Sequence, residues 1–226
     1  WDRMKEDGFA WWSARMTHML TLFDGVRIDH FRAFDTYWKI PASCDTAVEG
    51  EWLEAPGYAF FNTLFRQLPD IRIVAEDLGD LRPEVLTLRD HFNLMGMNVA
   101  VFSLPYSDSV EEHQLIYTGT HDNDTAIGYF KSLSEKERKF VCDYLRIAEN
   151  ESFNWEFIKS AMATSADTVI LQMPDFLGLD NSARINTPAT TEGNWQWRID
   201  LGCTNDWLAG IIRDITALYY RLGSQK

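Results

Sequence analysis

The chain has 226 residues, enough for one large domain or two small ones. Hydrophobic residues make up 46% and aromatics 14%, so a sizeable core can form and intrinsic disorder is excluded. A formal net charge of −13, with no basic stripe, excludes a general nucleic-acid binder and a protein docked on an anionic membrane.

Helical periodicity first appears over residues 6–23, where Phe9, Trp12, Met16, Met19 and Leu20 fall near helical spacing. A short strand follows over 24–29 (DGVRID), and a helix over 56–69 opens with Pro-Gly and closes at Pro69. A second strand spans 71–77 (IRIVAED), followed by a helix over 81–92 with Pro83 in its first turn. A third strand is expected over 97–104 and a fourth over 115–120. Three helices cover 124–133, 134–145 and 154–164, and a fifth strand covers 167–173. A terminal helix over 206–223 has Gly223 as its stop. The strands are continuous β-branched runs, each followed by helical sequence. That pattern predicts parallel strands covered on both faces, the α/β class. No repeat, low-complexity stretch or linker divides the chain, so residues 1–226 read as one unit.

No run of eighteen apolar residues predicts a transmembrane helix, and no leader is expected, because Trp1 opens straight into charged amphipathic sequence. The absence of an initial Met suggests an excerpt from a longer chain. Cys44, Cys142 and Cys203 are odd in number and widely spaced. They fit neither a disulfide framework nor a zinc motif, and reduced thiols in a cytoplasmic protein are expected.

Charged residues gather at the ends of three strands, in RIDH (27–30), VAEDLG (74–79) and TGTHDND (118–124). In a parallel barrel such ends share one mouth, where active sites form. Arg27 and Asp29 are two apart on a strand and face the same way, so the guanidinium favours an ionised Asp29, as a nucleophile requires. Glu76 has the apolar wall of Ile73, Val74 and Ala75 behind it. Partial burial there favours the protonated form, which suits a general acid. Two carboxyls with contrasting environments are the acid and nucleophile pattern of a glycosidase. Asp122, between His121 and Asn123, adds a third carboxylate. No HxxxH or DxDxDG spacing supports a metal site.

GVRIDHFRAF (25–34), VAEDLG (74–79) and YTGTHDNDT (117–125) together resemble the three signature segments of the 4-α-glucanotransferases of glycoside hydrolase family 77, the amylomaltases. NTPATTEGNWQWR (186–198) resembles a further segment near that family's carboxyl end, and APGYAFF (55–61) its Gly-Pro-Gly helix start. The resemblance implies a (β/α)8 barrel with retaining chemistry. It makes Asp29 the nucleophile, Glu76 the general acid/base and Asp122 a holder of sugar hydroxyls. Arg27, His121, Asn123 and His30 would contact substrate. Ala33 and Ala55 stand where the family usually has Gly. The family's nucleophile lies on the fourth strand of eight, so this chain would supply only the later strands of a partial barrel.

The expected activity is transfer of α-1,4-glucan segments between maltooligosaccharides or starch-type glucans through a covalent glucosyl-enzyme. No cofactor and no metal are required, and the two carboxyls should lie about 5–5.5 Å apart. Some of the nine Trp and eight Tyr would stack on sugar faces. An α-amylase-like hydrolase and a non-catalytic glucan-binding protein are the alternatives. A chain of this length, taken alone, is expected to self-associate through unpaired strand edges.

Overall fold

The computed structural model describes residues 1–103, 110–148 and 152–223, which fall into two compact units, Trp1–Met97 and Asn98–Lys226. The α/β class expected from the sequence is present in both. The division falls inside a strand rather than at a linker.

The first unit opens with α1 (Asp2–Glu6) and α2 (Ala10–Leu20). The sequence predicts one helix over 6–23, but the chain breaks at Gly8 and Phe9, both in the left-handed region with φ of +67° and +58°. The break turns the Phe9 ring into the core, where it is 3% exposed. Asp7 then accepts the Ala10 amide at 3.1 Å and satisfies one of the donors that a helix start leaves open. Strand β1 is Val26–Ile28. A hairpin of β2 (Thr36–Lys39) and β3 (Glu51–Glu54) follows, antiparallel, with Trp38 opposite Trp52.

Helix α3 (Gly57–Gln67) buries Gly57, Phe60, Phe61 and Leu64, a stripe at i, i+3, i+4 and i+7. Its first residue must be small, because a Cβ at Gly57 would strike the Phe34 carbonyl oxygen and lie 2.7 Å from Leu88 Cδ2. Strand β4 (Ile73–Ala75) pairs in parallel with β1, Val26 opposite Ile73 and Ile28 opposite Ala75. Helix α4 (Pro83–His91) starts on Pro83, whose missing N–H costs nothing at that position, and buries Val85 and Leu88. Phe31, Phe34, Phe60 and Phe61 pack with ring centroids 4.8–6.2 Å apart and form the core under the β1–β4 strand ends.

Strand β5 (Gly96–Val99) starts at the end of the first unit, one residue after Met95 bridges to Val74 in parallel. The strand expected over 97–104 therefore stops early. Residues Ala100–Ser103 turn into a short helix, α5, and Leu104 lies outside the described residues. In the second unit β6 (Gln114–Tyr117) pairs in parallel with a later strand and leads to α6 (Ala126–Ser132), capped by the Thr125 hydroxyl. Helix α7 (Glu135–Leu145) begins on a reciprocal cap between Ser134 and Glu137. Helix α8 (Phe153–Met162) buries Phe153, Phe157 and Ile158.

β6's partner is β7 (Thr168–Ile170), and the sheet runs β5–β6–β7. A short α9 (Met173–Phe176) follows, then α10 (Asp206–Leu218), capped by the Asn205 side chain. Helix α10 ends at Leu218 rather than at Gly223, because Tyr220 takes the left-handed conformation with φ of +56°. Among the described residues no sheet closes on itself and no helix is long and apolar enough to cross a membrane.

Candidate active site

The first unit brings together two of the three carboxylates singled out in the sequence. Because β1 and β4 run parallel and in register, the chain leaves both at the same end, with Asp29 directly after Ile28 and Glu76 directly after Ala75. The Glu76 amide donates to the Ile28 carbonyl at 2.9 Å, and the Phe31 amide to the Glu76 carbonyl at 3.1 Å, so the ladder carries on past both strands. Asp29 is exposed, and its Oδ1 accepts from Arg27 Nη2 at 2.7 Å, on the shared face that the two-residue spacing predicted.

Glu76 is held by backbone. Its Oε2 accepts the His30 amide at 2.8 Å and its Oε1 the Leu78 amide at 3.3 Å. His30 serves through its N–H, which points at Glu76 because the residue sits at φ of +50°. Its imidazole is exposed. Asp77, next in sequence, is anchored inward. Its Oδ2 accepts from Arg89 Nη1 at 2.5 Å and its Oδ1 from the Met97 amide at 2.9 Å. Arg82 reaches Asp35 with two bonds, Nε to Oδ2 at 2.5 Å and Nη2 to Oδ1 at 2.8 Å, and Nη2 also meets Glu54 at 3.0 Å.

The second unit builds a cluster around Asp122, which follows β6. Asp122 Oδ1 accepts from Asn186 Nδ2 at 2.6 Å, and His121 Nε2 lies 3.2 Å from Oδ2. Arg184 clasps the loop from behind. Its Nη2 donates to the Asp122 carbonyl at 2.6 Å, it pairs with Asp124, and its Nε donates to the Asn186 carbonyl at 2.7 Å. The Trp195 ring, 54% exposed, lies 5.3 Å from the His121 ring. Asn123 Oδ1 is taken up by the Thr120 amide and hydroxyl, both at 2.8 Å, so this residue shapes the loop rather than touching Asp122.

Below the loop Asp175, fully buried, accepts from the Thr118 hydroxyl at 2.5 Å and the Ala126 amide at 2.7 Å. Its carboxyl is held above the usual range, burial outweighing those two bonds. Sequence reasoning did not single out Asn186, Arg184, Trp195 or Asp175. Asn186 and Trp195 lie in the segment 186–198 that the resemblance marked, and no sequence signal pointed to the other two. Among the described residues no group of three His, Cys, Asp or Glu is arranged to hold a metal ion.

The family model described as 4-alpha-glucanotransferase matches residues 1–204. A 4-alpha-glucanotransferase of Synechocystis is 44% identical over 98% of this chain and 46% of its own length. One from Thermus thermophilus is 39% identical over 88% of this chain and 43% of its own. The amylomaltase of Streptococcus agalactiae, solved in complex with acarbose, superposes with a TM-score of 0.93 at 32% identity, over 99% of this chain and 47% of that one. An amylomaltase from Corynebacterium glutamicum, 17% identical with a TM-score of 0.72 over 97% of this chain and 38% of that one, shares the fold. The chain spans less than half the length of these curated relatives. With 204 of its 226 residues under one family model, the chain belongs to the 4-alpha-glucanotransferases of glycoside hydrolase family 77.

Proposed function

We propose that this chain carries the catalytic carboxylates of a 4-α-glucanotransferase that moves α-1,4-glucan segments between maltooligosaccharides or starch-type glucans. The observation that carries the reading is the Glu76 carboxylate bonded to the amide of His30, the residue directly after Asp29. Glu76, read here as the acid, and Asp29, read as the nucleophile, follow neighbouring parallel strands, which supports the reading. Glu76 gives its proton to the glycosidic oxygen while the Asp29 carboxylate attacks the anomeric carbon. The bond from that carbon to oxygen breaks, the shortened glucan leaves, and a glycosyl ester forms on Asp29. A 4-hydroxyl of an acceptor glucan then loses its proton to Glu76 and attacks the same carbon, releasing Asp29. Two inversions retain the α configuration.

Arg27 occupies Oδ1 of Asp29, which leaves Oδ2 as the attacking oxygen. Asp122, held by Asn186 and flanked by His121, takes sugar hydroxyls, and Trp195 stacks on a sugar face. His30 and Asn123 support the site through the loops they shape. Neither step needs a metal or a cofactor. Residues 1–226 are one piece of one catalytic unit, the later strands of a (β/α)8 barrel, with the glucan bound at the strand carboxyl ends. The three cysteines are free thiols, which suits a reducing compartment, and the cytoplasm is the proposed location.

The test is to incubate the full-length protein with maltotriose. Glucose together with maltooligosaccharides longer than the substrate is the expected product set. Release of reducing ends without longer products would make it a hydrolase. Binding of maltotriose without turnover would make it a glucan-binding protein.

A further inference from the structure

Two loops leave the paired strands at the candidate site. Residues 29–35 carry Asp29, and residues 76–82 carry Glu76. They are tied at three places. At the near end the His30 and Phe31 amides bond Glu76, and midway Arg32 Nη1 donates to the Asp80 carbonyl at 3.1 Å. At the far end Arg82 grips Asp35 with a two-pronged pair at 2.5 and 2.8 Å, and the Asp35 side chain is only 10% exposed. Between these ties the second loop has little to stiffen it. Gly79 is at φ of +90° with open space around it, and Gly79 and Asp80 are exposed.

We propose that Arg82 is a positioning residue for the reaction, holding the loop that carries Glu76 to the loop that carries Asp29 through Asp35 and so fixing the distance from acid to nucleophile. This rests on reading those two carboxylates as acid and nucleophile. Asp77 anchors Glu76 from behind, to Arg89 and the Met97 amide, and bonds no part of residues 29–35 in doing so. Arg82 is the side chain whose planar fork matches a carboxylate on the opposite loop, and a guanidinium makes that match where an ammonium cannot. The same guanidinium meets Glu54 on β3, so the hairpin base is locked by the contact that locks the loops.

The experiment compares Arg82→Lys with the wild type in the full-length protein, in the first turnover, on two donors. Maltotriose needs its leaving oxygen protonated, whereas maltosyl fluoride leaves as fluoride and does not. A displaced Glu76 should slow glucose release from maltotriose about tenfold or more, given the rate cost of misplacing a reacting group by an ångström. Fluoride release should stay within about threefold of wild type, because substrate binding and Asp29 are intact. KM for maltotriose should hold. Asp35→Asn, which keeps the size and one acceptor oxygen, should show the same split and serves if Arg82→Lys does not fold. Equal loss on both donors, or no loss on either, would overturn the role of Arg82. A wild type that transfers nothing from either donor would instead overturn the reading of Asp29 and Glu76.

Discussion

At Asp29 the functional reading reduces to one atom. Exchange of Oδ2 for an amide nitrogen leaves the Arg27 contact available through Oδ1 but removes the oxygen proposed to form the glycosyl ester. Asp29→Asn is expected to abolish transfer while leaving the melting temperature unchanged, read by product analysis beside a thermal melt. Glu76→Gln should cost about 10²–10⁴ in rate on maltotriose and far less on an activated donor such as maltosyl fluoride, since general acid catalysis contributes at that level. Its amide nitrogen would turn toward the Leu78 amide, the longer of the two bonds at 3.3 Å, and the His30 bond would survive. Equal loss on the two donors would count against Glu76 as the acid. Asp175 offers a test by pH. Its folded carboxyl lies above the usual 3.8 because it is buried, so between those two values the folded state holds a proton that the unfolded state has released. Stability from this group therefore falls as pH rises through that window and is level above it. Asp175→Asn cannot ionise, so its stability relative to wild type should climb from below pH 3.8 and then plateau, read by urea melts across pH. Asp180, pushed down to about 2 by Lys131, titrates in both proteins and cancels. Such residues mark the limit of what the sequence discloses. Asp29 and Glu76 could be read from strand ends, whereas Asp175 owes its role to Thr118 and Ala126, which come near only in the fold.

Among the elements, legibility followed burial. The helices α3, α4 and α8 declare themselves by apolar stripes or by a proline start, and their observed bounds fall within a few residues of those expected. The β2–β3 hairpin was missed because its strands carry Lys39, Glu51 and Glu54 and are half exposed, with no apolar run or alternation to signal a strand. Its connection over 40–50 is too long for a tight-turn signature. The 97–104 run misled for the opposite reason, since an unbroken apolar stretch serves a buried strand and a buried helix turn equally well. At the start of the chain, burial of Phe9 overrode a helical pattern that read straight through Gly8. Helix α3 provides the test at this scale. Gly57 lets the helix start lie against the Phe34 carbonyl and Leu88, and one added methyl has nowhere to go. Gly57→Ala should destabilise the protein by about 1–3 kcal/mol, the usual cost of overpacking a filled site. Because Phe34 lies on the loop after Asp29, activity should fall as well. A denaturant midpoint at or above that of wild type would show that α3 can shift without strain.

For the whole molecule, what matters is how little of a family member the chain represents. It matches 46% of the Synechocystis relative and 47% of the amylomaltase solved with acarbose. Among the described residues β4 is the one strand that pairs with β1, whose other edge lies beside Asp29. Large apolar side chains are also bare, among them Leu22 at 61% exposure, Phe23 at 56%, Trp207 at 73% and Leu201 at 92%. An open strand edge and exposed apolar surface both invite association. A closed barrel needs strand number, tilt and shear to agree, and among the described residues no sheet closes on itself. Residues 1–226 expressed alone are therefore expected to be inactive on maltotriose and to self-associate, and the full-length protein is expected to transfer. Light scattering beside product analysis reads both outcomes. A monomeric 226-residue chain that formed glucose and longer maltooligosaccharides would show that the glucan site is complete within this chain. The partial-barrel reading would then have to be abandoned, while Asp29 and Glu76 kept their roles.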